Sequence, residues 1–110
     1  MSRITTHVLD TVGGKPAAGV VVRLDLRDRG GWTEIASGAT DADGRCRDLA
    51  DGAAPGTYRL TFATGAYFAS EGRNSIYPEI AIVFECAGEA HYHLPVLLLS
   101  LIHISEPTRP

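Results

Sequence analysis

His91 and His93 stand two residues apart in EAHYHLPVLLLS, and His7 stands in ITTHVLD. An imidazole is the side chain whose ordinary pKa lets it take and return a proton near neutrality. In a strand, successive side chains point to opposite faces. The alternation that turns Tyr92, Leu94, Val96 and Leu98 toward a core therefore sends His91 and His93 away from it. In the same way Ile4, Thr6 and Val8 share one face and leave Thr5, His7 and Leu9 on the other. Outward histidines on two strands form a site only where those strands are neighbours in one sheet. Otherwise they are the exposed polar alternation usual on a solvent face. Arg45, in TDADGR, is a third candidate: its permanently cationic fork of donors could clamp an anion, where the ordinary reading is solvated turn charge.

His91-Tyr92-His93 also has the spacing of two metal ligands on one strand, with His7 available as a third. A zinc site needs at least three suitable protein ligands. Two histidines at that spacing are weak evidence, and neither Cys46 nor Cys86 belongs to a CxxC pair, so the metal reading ranks second to proton transfer.

Strands must position these groups. In VVVRLDLRD, Val22, Leu24 and Leu26 fall on one face and Arg23, Asp25 and Arg27 on the other, the pattern of a half-buried antiparallel strand. In GTYRLTF, Tyr58, Leu60 and Phe62 alternate with Arg59 and Thr61. WTEIASGAT is a weaker third strand, and the Asp- and Gly-bearing TDADGR and ADGAAPG are turns. Turn signals recur roughly every 8–12 residues, as in a sandwich or barrel. One segment departs from period two. Thr64 as an N-cap, Ala66, Phe68 and Ala69 at helical spacing, and Gly72 as a stop predict a short helix over residues 65–71. In PEIAIVFE, Ile80, Ile82 and Phe84 face one way, yet Ala81 and Val83 on the other face are apolar too. A strand apolar on both faces calls for cover, and in so short a chain another subunit is the expected cover.

A chain of 110 residues makes one domain with one core. Its net charge of −3, with both signs interspersed, offers no clustered cationic surface for phosphates, which sets nucleic acid aside. MSRITTHVLD lacks the apolar stretch of a secretory signal, which points to the cytoplasm. The longest apolar run, Leu94 to Ile104, falls far short of the roughly 20 residues that span a bilayer, so no membrane partner is expected. Cys46 and Cys86 are expected to be reduced thiols packed as small hydrophobes.

The stretches THVLDTVGGKPAAGVVVRL, TDADGRCRDL, GTYRLTF, YPEIAIVFE and HYHLPVLLLS occur in order over nearly all of residues 4–100. Together they resemble the transthyretin-like 5-hydroxyisourate hydrolases. THVLDT and HYHLPVLLLS are the specific motifs; the remainder would fit many regulatory or adhesion sandwiches. The resemblance implies an all-β, transthyretin-like two-sheet β-sandwich with one short helix after the fifth strand. It also implies a homotetramer with active sites at a dimer–dimer interface. The implied reaction is hydrolysis of 5-hydroxyisourate, the first product of urate oxidation, to 2-oxo-4-hydroxy-4-carboxy-5-ureidoimidazoline. The family's catalytic residues match His7, Arg45 and His93, and no metal or cofactor is implied. Those residue types suit ring opening: an imidazole takes the proton of the attacking water, and a guanidinium holds the anionic substrate and the developing oxyanion. Two other readings share the fold: a transthyretin-like carrier of small hydrophobic ligands, and an adhesion-type sandwich. The two imidazoles and the guanidinium weigh against an apolar carrier channel.

The family ends on a final strand and a Tyr-Arg-Gly-Ser terminus, for which this chain has no counterpart. Its last ten residues, LIHISEPTRP, resemble a translated sequencing adapter more than an ending for this fold. The expected division is therefore a hydrolase domain at 1–100 and a non-native tail at 101–110, with impaired activity in the chain as it stands. Leu101, His103 and Ser105 alternate against Ile102 and Ile104 and could fill part of a strand, with His103 a bystander. Pro107 and Pro110 could not extend it, since proline lacks a ladder donor.

Overall fold

The computed structural model describes residues 2–11, 13–73, 77–88 and 91–98. Along the chain lie β1 (Ser2–Asp10), β2 (Lys15–Pro16), β3 (Val21–Asp28), β4 (Gly31–Ala39), β5 (Arg45–Ala53), β6 (Gly56–Phe62), α1 (Thr64–Ser70), β7 (Ile80–Cys86) and β8 (His91–Leu98). One sheet runs β4-β3-β6-β7 with every neighbouring pair antiparallel. The other is built on β1. Along one edge of β1, β5 pairs from Ser2↔Ala53 to His7↔Arg45, and the two-residue β2 takes over at Leu9 and Asp10. Along its other edge β8 pairs in parallel, from Arg3↔His91 to Asp10↔Leu98. The helix follows the fifth strand of substantial length, the sixth if β2 is counted.

The core lies between the sheets and is made of the inward halves of the alternating strands. Ile4 and Val8 of β1, Val22 and Leu24 of β3, Tyr58, Leu60 and Phe62 of β6, and Val96 and Leu98 of β8 are all buried. Burying each large apolar side chain is worth about 1.5–3 kcal/mol, which is what fixes the facing of every strand. Cys46 and Cys86 are buried thiols in opposite sheets, as small hydrophobes would be. The Tyr58 hydroxyl donates to the Ala54 carbonyl at 2.6 Å, which ties the β5–β6 corner. Burial, with a smaller contribution from Cys86, pushes that phenol's pKa up.

Three details differ from the sequence reading. ADGAAPG is not a turn throughout, because β5 continues to Ala53 by pairing with the start of β1, across register shifts that absorb its glycine. The helix is Thr64–Ser70, and Thr64 does not cap it: Ala63 holds the N-cap without a side-chain bond, while the Thr64 hydroxyl is buried and unpartnered. At the other end Gly72 stops the helix as expected. Its φ of +71° lets the Gly72 amide bond the Ala69 carbonyl and the Arg73 amide bond the Phe68 carbonyl, a closing pair that only an αL residue permits at low cost. Asp25, assigned to a solvent face, is only 3% exposed, because Arg59 donates to its carboxylate at 2.9 Å and Arg23 lies alongside at 3.3 Å.

Asp10 is a buried charge on which the sequence reading is silent. It continues the inward series Ile4, Thr6, Val8 and is 1% exposed. A carboxylate there requires partners. The Tyr67 hydroxyl donates to it at 2.8 Å, the Gly13 amide at 3.0 Å, and the Arg73 guanidinium pairs with it. Burial alone would raise its pKa, but bonds from Arg73, Gly13 and Tyr67 together prevail and lower it. Tyr67, buried against that carboxylate, is pushed up to about 12. The network locks the end of β1 to α1 and the residues after it. The expected tail at 101–110, including His103, lies outside the described residues.

Candidate active site

Strand register assembles the site. On the outward face of the β1 sheet, Arg45 of β5 sits opposite His7, and His93 of β8 sits opposite Thr5. The ring centroids of His7 and His93 are 6.4 Å apart, and those of His91 and His93 are 6.2 Å apart. Three arginines, Arg3, Arg45 and Arg47, join Thr5, His91 and His93 in lining a cleft of about 210 Å³. All three expected residues thus lie on three adjacent strands and one face, with β1 in the middle.

The turn before β5 places Arg45. Asp41 accepts the Asp43 amide at 2.8 Å and the Arg45 amide at 3.0 Å through one carboxylate oxygen. The Arg45 amide is the chief reason its pKa is lowered; desolvation opposes this, and the Asp43 amide and the charges of Arg47 and Arg45 add to it. Gly44 adopts φ +77° and presses its backbone against β1, so that a Cβ there would stand 2.4 Å from the Val8 carbonyl oxygen. The Val8 amide donates to the Gly44 carbonyl at 2.7 Å. Only glycine allows that approach, and the approach is what sets Arg45 beside His7.

The same turn orients His7. Its Nε2 lies 3.0 Å from the Asp43 carbonyl oxygen. A carbonyl can only accept, so Nε2 carries the proton and Nδ1 is the bare nitrogen of the neutral ring. His93 is held from behind, with its Nδ1 2.9 Å from the Thr5 hydroxyl, which also lies 2.9 Å from His91 Nε2. Desolvation first, then repulsion from His7 and His91 in their cationic forms and from Arg45, depress the pKa of the exposed His93. Its neutral, proton-accepting form therefore dominates at pH 7. Among the described residues no three His, Cys, Asp or Glu side chains converge as a metal-ligand set. A ring that can take a proton, a second imidazole of fixed tautomer and a neighbouring guanidinium are groups able to activate water and stabilise an oxyanion.

Thr5, Arg3 and Arg47 join this face without having been singled out, and so does His91, which the sequence offers as an outward imidazole but which lies outside the His7, Arg45 and His93 set. The alternation already placed Thr5 and His91 outward; what it lacked was the β1–β8 register that sets Thr5 between two rings. The parallel pairing of first and last described strands, 86 residues apart at Thr5 and His91, leaves no local signature.

A two-sheet sandwich of this strand order with one short helix is the transthyretin fold. It matches transthyretin from Sparus aurata with a TM-score of 0.84 at 34% identity, covering 88% of each chain. It matches the 5-hydroxyisourate hydrolase of Klebsiella pneumoniae with a TM-score of 0.78 at 40% identity, covering 89% of this chain and 90% of that one. The chain belongs to the HIUase/transthyretin family, whose sequence model matches residues 4–103. It is also similar to the 5-hydroxyisourate hydrolases of Salmonella dublin, 44% identical over 98 residues (86% of this chain, 72% of that one), and Mus musculus, 40% identical over 102 residues (88% and 86%).

Proposed function

We propose that this chain hydrolyses 5-hydroxyisourate, opening its six-membered ring in urate breakdown. The observation that carries the reading is the placement of His7, Arg45 and His93 on one face of three adjacent strands, with Arg45 and His93 lining the cleft and the His7 ring 6.4 Å from that of His93, in a chain 40–44% identical to enzymes of that name. Likeness of fold does not decide between enzyme and carrier, since a transthyretin solved with thyroxine also matches with a TM-score of 0.84. The lining does: three guanidiniums and two imidazoles suit a small anion and a proton transfer, not a hydrophobic ligand. In the proposed reaction His93 takes a proton from water as its oxygen adds to a ring carbonyl. Arg45 holds the resulting oxyanion. Collapse breaks the ring C–N bond, and the departing nitrogen receives a proton from the imidazole pair. Generating 5-hydroxyisourate with a urate oxidase and following its ultraviolet absorbance tests the reading. Faster decay in the presence of this protein is expected, and decay at the spontaneous rate by a chain given the family's usual ending would refute it.

We propose a small-molecule substrate as the partner, with neither nucleic acid nor membrane engaged. We further propose a homotetramer in the cytoplasm. Val83 on β7 and Leu97 on β8 are 56% and 59% exposed, large apolar side chains on the outward faces of the two sheets that a partner would cover. Residues 101–110 we propose to be foreign to the native gene, which the coding DNA around codon 100 tests.

A further inference from the structure

The Thr5 hydroxyl has one hydrogen to give and lone pairs to receive. It is 5% exposed and stands between two ring nitrogens, 2.9 Å from His91 Nε2 and 2.9 Å from His93 Nδ1. Among the described residues these rings are its hydrogen-bond partners. If both rings donated, the buried hydroxyl hydrogen would lack an acceptor; if neither did, one ring nitrogen would face a lone pair. Satisfying all three groups requires that one ring donate to Thr5 and the other accept from it. The rings are thereby held to complementary states at their Thr5-facing nitrogens.

We propose that Thr5 is a positioning residue that holds His93 as its Nδ1–H tautomer and directs its own hydrogen to His91 Nε2, so that the two imidazoles share one proton across the hydroxyl. The direction follows from access. Nδ1 of His93 is turned toward buried Thr5, which leaves Nε2 as the nitrogen that can meet a ligand in the cleft. Only a bare Nε2 can take a proton from there. When it does, the cation needs both ring N–H groups, and Nδ1–H already has Thr5 to receive it. No partner has to turn. The proton can then pass inward: His93 Nδ1–H to Thr5 Oγ1, and the Thr5 hydrogen to His91 Nε2, which ends with His93 neutral and His91 cationic. One proton enters and one charge moves, with no co-reactant. Both rings cannot be cationic while keeping these bonds, because Thr5 would then face two donors. The groups facing His93 are His91 on its own strand, His7 and Arg3 on β1, and Arg45 and Arg47 on β5. None is an anion that could neutralise a second charge.

This deepens the hydrolase reading and rests on it only for the direction of proton flow. The test uses the full chain labelled with ¹⁵N-histidine, with the rings assigned through single histidine replacements. Two-bond ¹H–¹⁵N correlations at neutral pH should show His93 and His91 both protonated on Nδ1. His93 carrying its proton on Nε2 would overturn the proposal. Thr5→Val, which keeps shape and removes the hydroxyl, should release both rings toward the Nε2–H form. It should also lower kcat on 5-hydroxyisourate about 10- to 100-fold, the usual range for a group that orients a functional imidazole, with KM little changed. Thr5→Ser should restore the tautomers and most of kcat. Unchanged tautomers and kcat in Thr5→Val would sink the inference even if the protein is active. Expected tautomers in a chain without hydrolase activity would uphold the Thr5 assignment and reject the hydrolase reading instead.

Discussion

Gly44→Ala separates two penalties that a single structure allows to be worked out. Gly44 has φ +77°, and a Cβ there would lie 2.4 Å from the Val8 carbonyl oxygen and 3.2 Å from the Ala17 nitrogen. Gly19 has nearly the same φ, +78°, but a Cβ there meets nothing within 4 Å. Gly19→Ala therefore measures the conformational cost alone, about 1–2 kcal/mol for an L-residue in the left-handed region. Gly44→Ala adds the displacement of the Val8 carbonyl. That carbonyl accepts the Ala17 amide at 2.9 Å, and its loss costs about another 1 kcal/mol before any rearrangement of the turn. Urea unfolding should give a loss of about 1–2 kcal/mol for Gly19→Ala and about 2–3 kcal/mol for Gly44→Ala. Because the same turn carries Arg45 and the Asp43 carbonyl that fixes His7, Gly44→Ala should also cut kcat/KM well beyond Gly19→Ala. Equal losses of stability, or a Gly44→Ala protein with full activity, would refute the role given to this close approach.

His93→Ala should reduce turnover about 10²- to 10⁴-fold and change stability by no more than about 0.5 kcal/mol, since an outward side chain leaves no core cavity; activity and urea curves on one preparation check both. Because the pKa of His93 is lowered from 6.5, kcat/KM should hold as pH falls through 6.5 and decline only below it. A decline centred above pH 6.5 would mean that another group is the base. Asp10→Ala should cost about 3 kcal/mol, the lower end for breaking a buried pair, as Arg73 stays partly solvated. Asp10's pKa is lowered in the fold, so its contribution is full above the ordinary value of 3.8 and fades as pH falls through the folded one; acid unfolding of the unsubstituted chain should show that fade and Asp10→Ala should not. Tyr58→Phe should lose about 1 kcal/mol through the Ala54 bond, read by the same urea curves.

Period two alone was enough to face His7, His91 and His93 outward and to pick out the core of β1, β3, β6 and β8, because burial rewards a strict alternation and penalises a slip of one residue. It failed where tertiary pairing overrides local preference. Asp51, Gly52 and Ala53 carry turn-like composition yet extend β5, since β1 offers them a ladder. Thr64 has a cap's chemistry, but packing buries its hydroxyl and leaves the cap to Ala63. Asp25 and Asp10 are legible as charges, and only the fold supplies the arginines that let them be buried. The site itself divides in the same way. The residue types and their facing were readable. That Thr5 lies between His91 and His93, and that Asp43 fixes the tautomer of His7, depends on neighbours far away in the chain or across a turn.

The central claim is that the outward cleft lined by Arg45 and His93, with His7 beside it, is where 5-hydroxyisourate is opened. Its most direct test is the rate of 5-hydroxyisourate decay above the spontaneous rate, compared between this chain and the folded His7→Ala/His93→Ala double variant. Groups acting as a unit lose their contribution together, so the account predicts acceleration by the former, and by the latter no more than the worse single variant retains. Acceleration that survives undiminished in the double variant would contradict it.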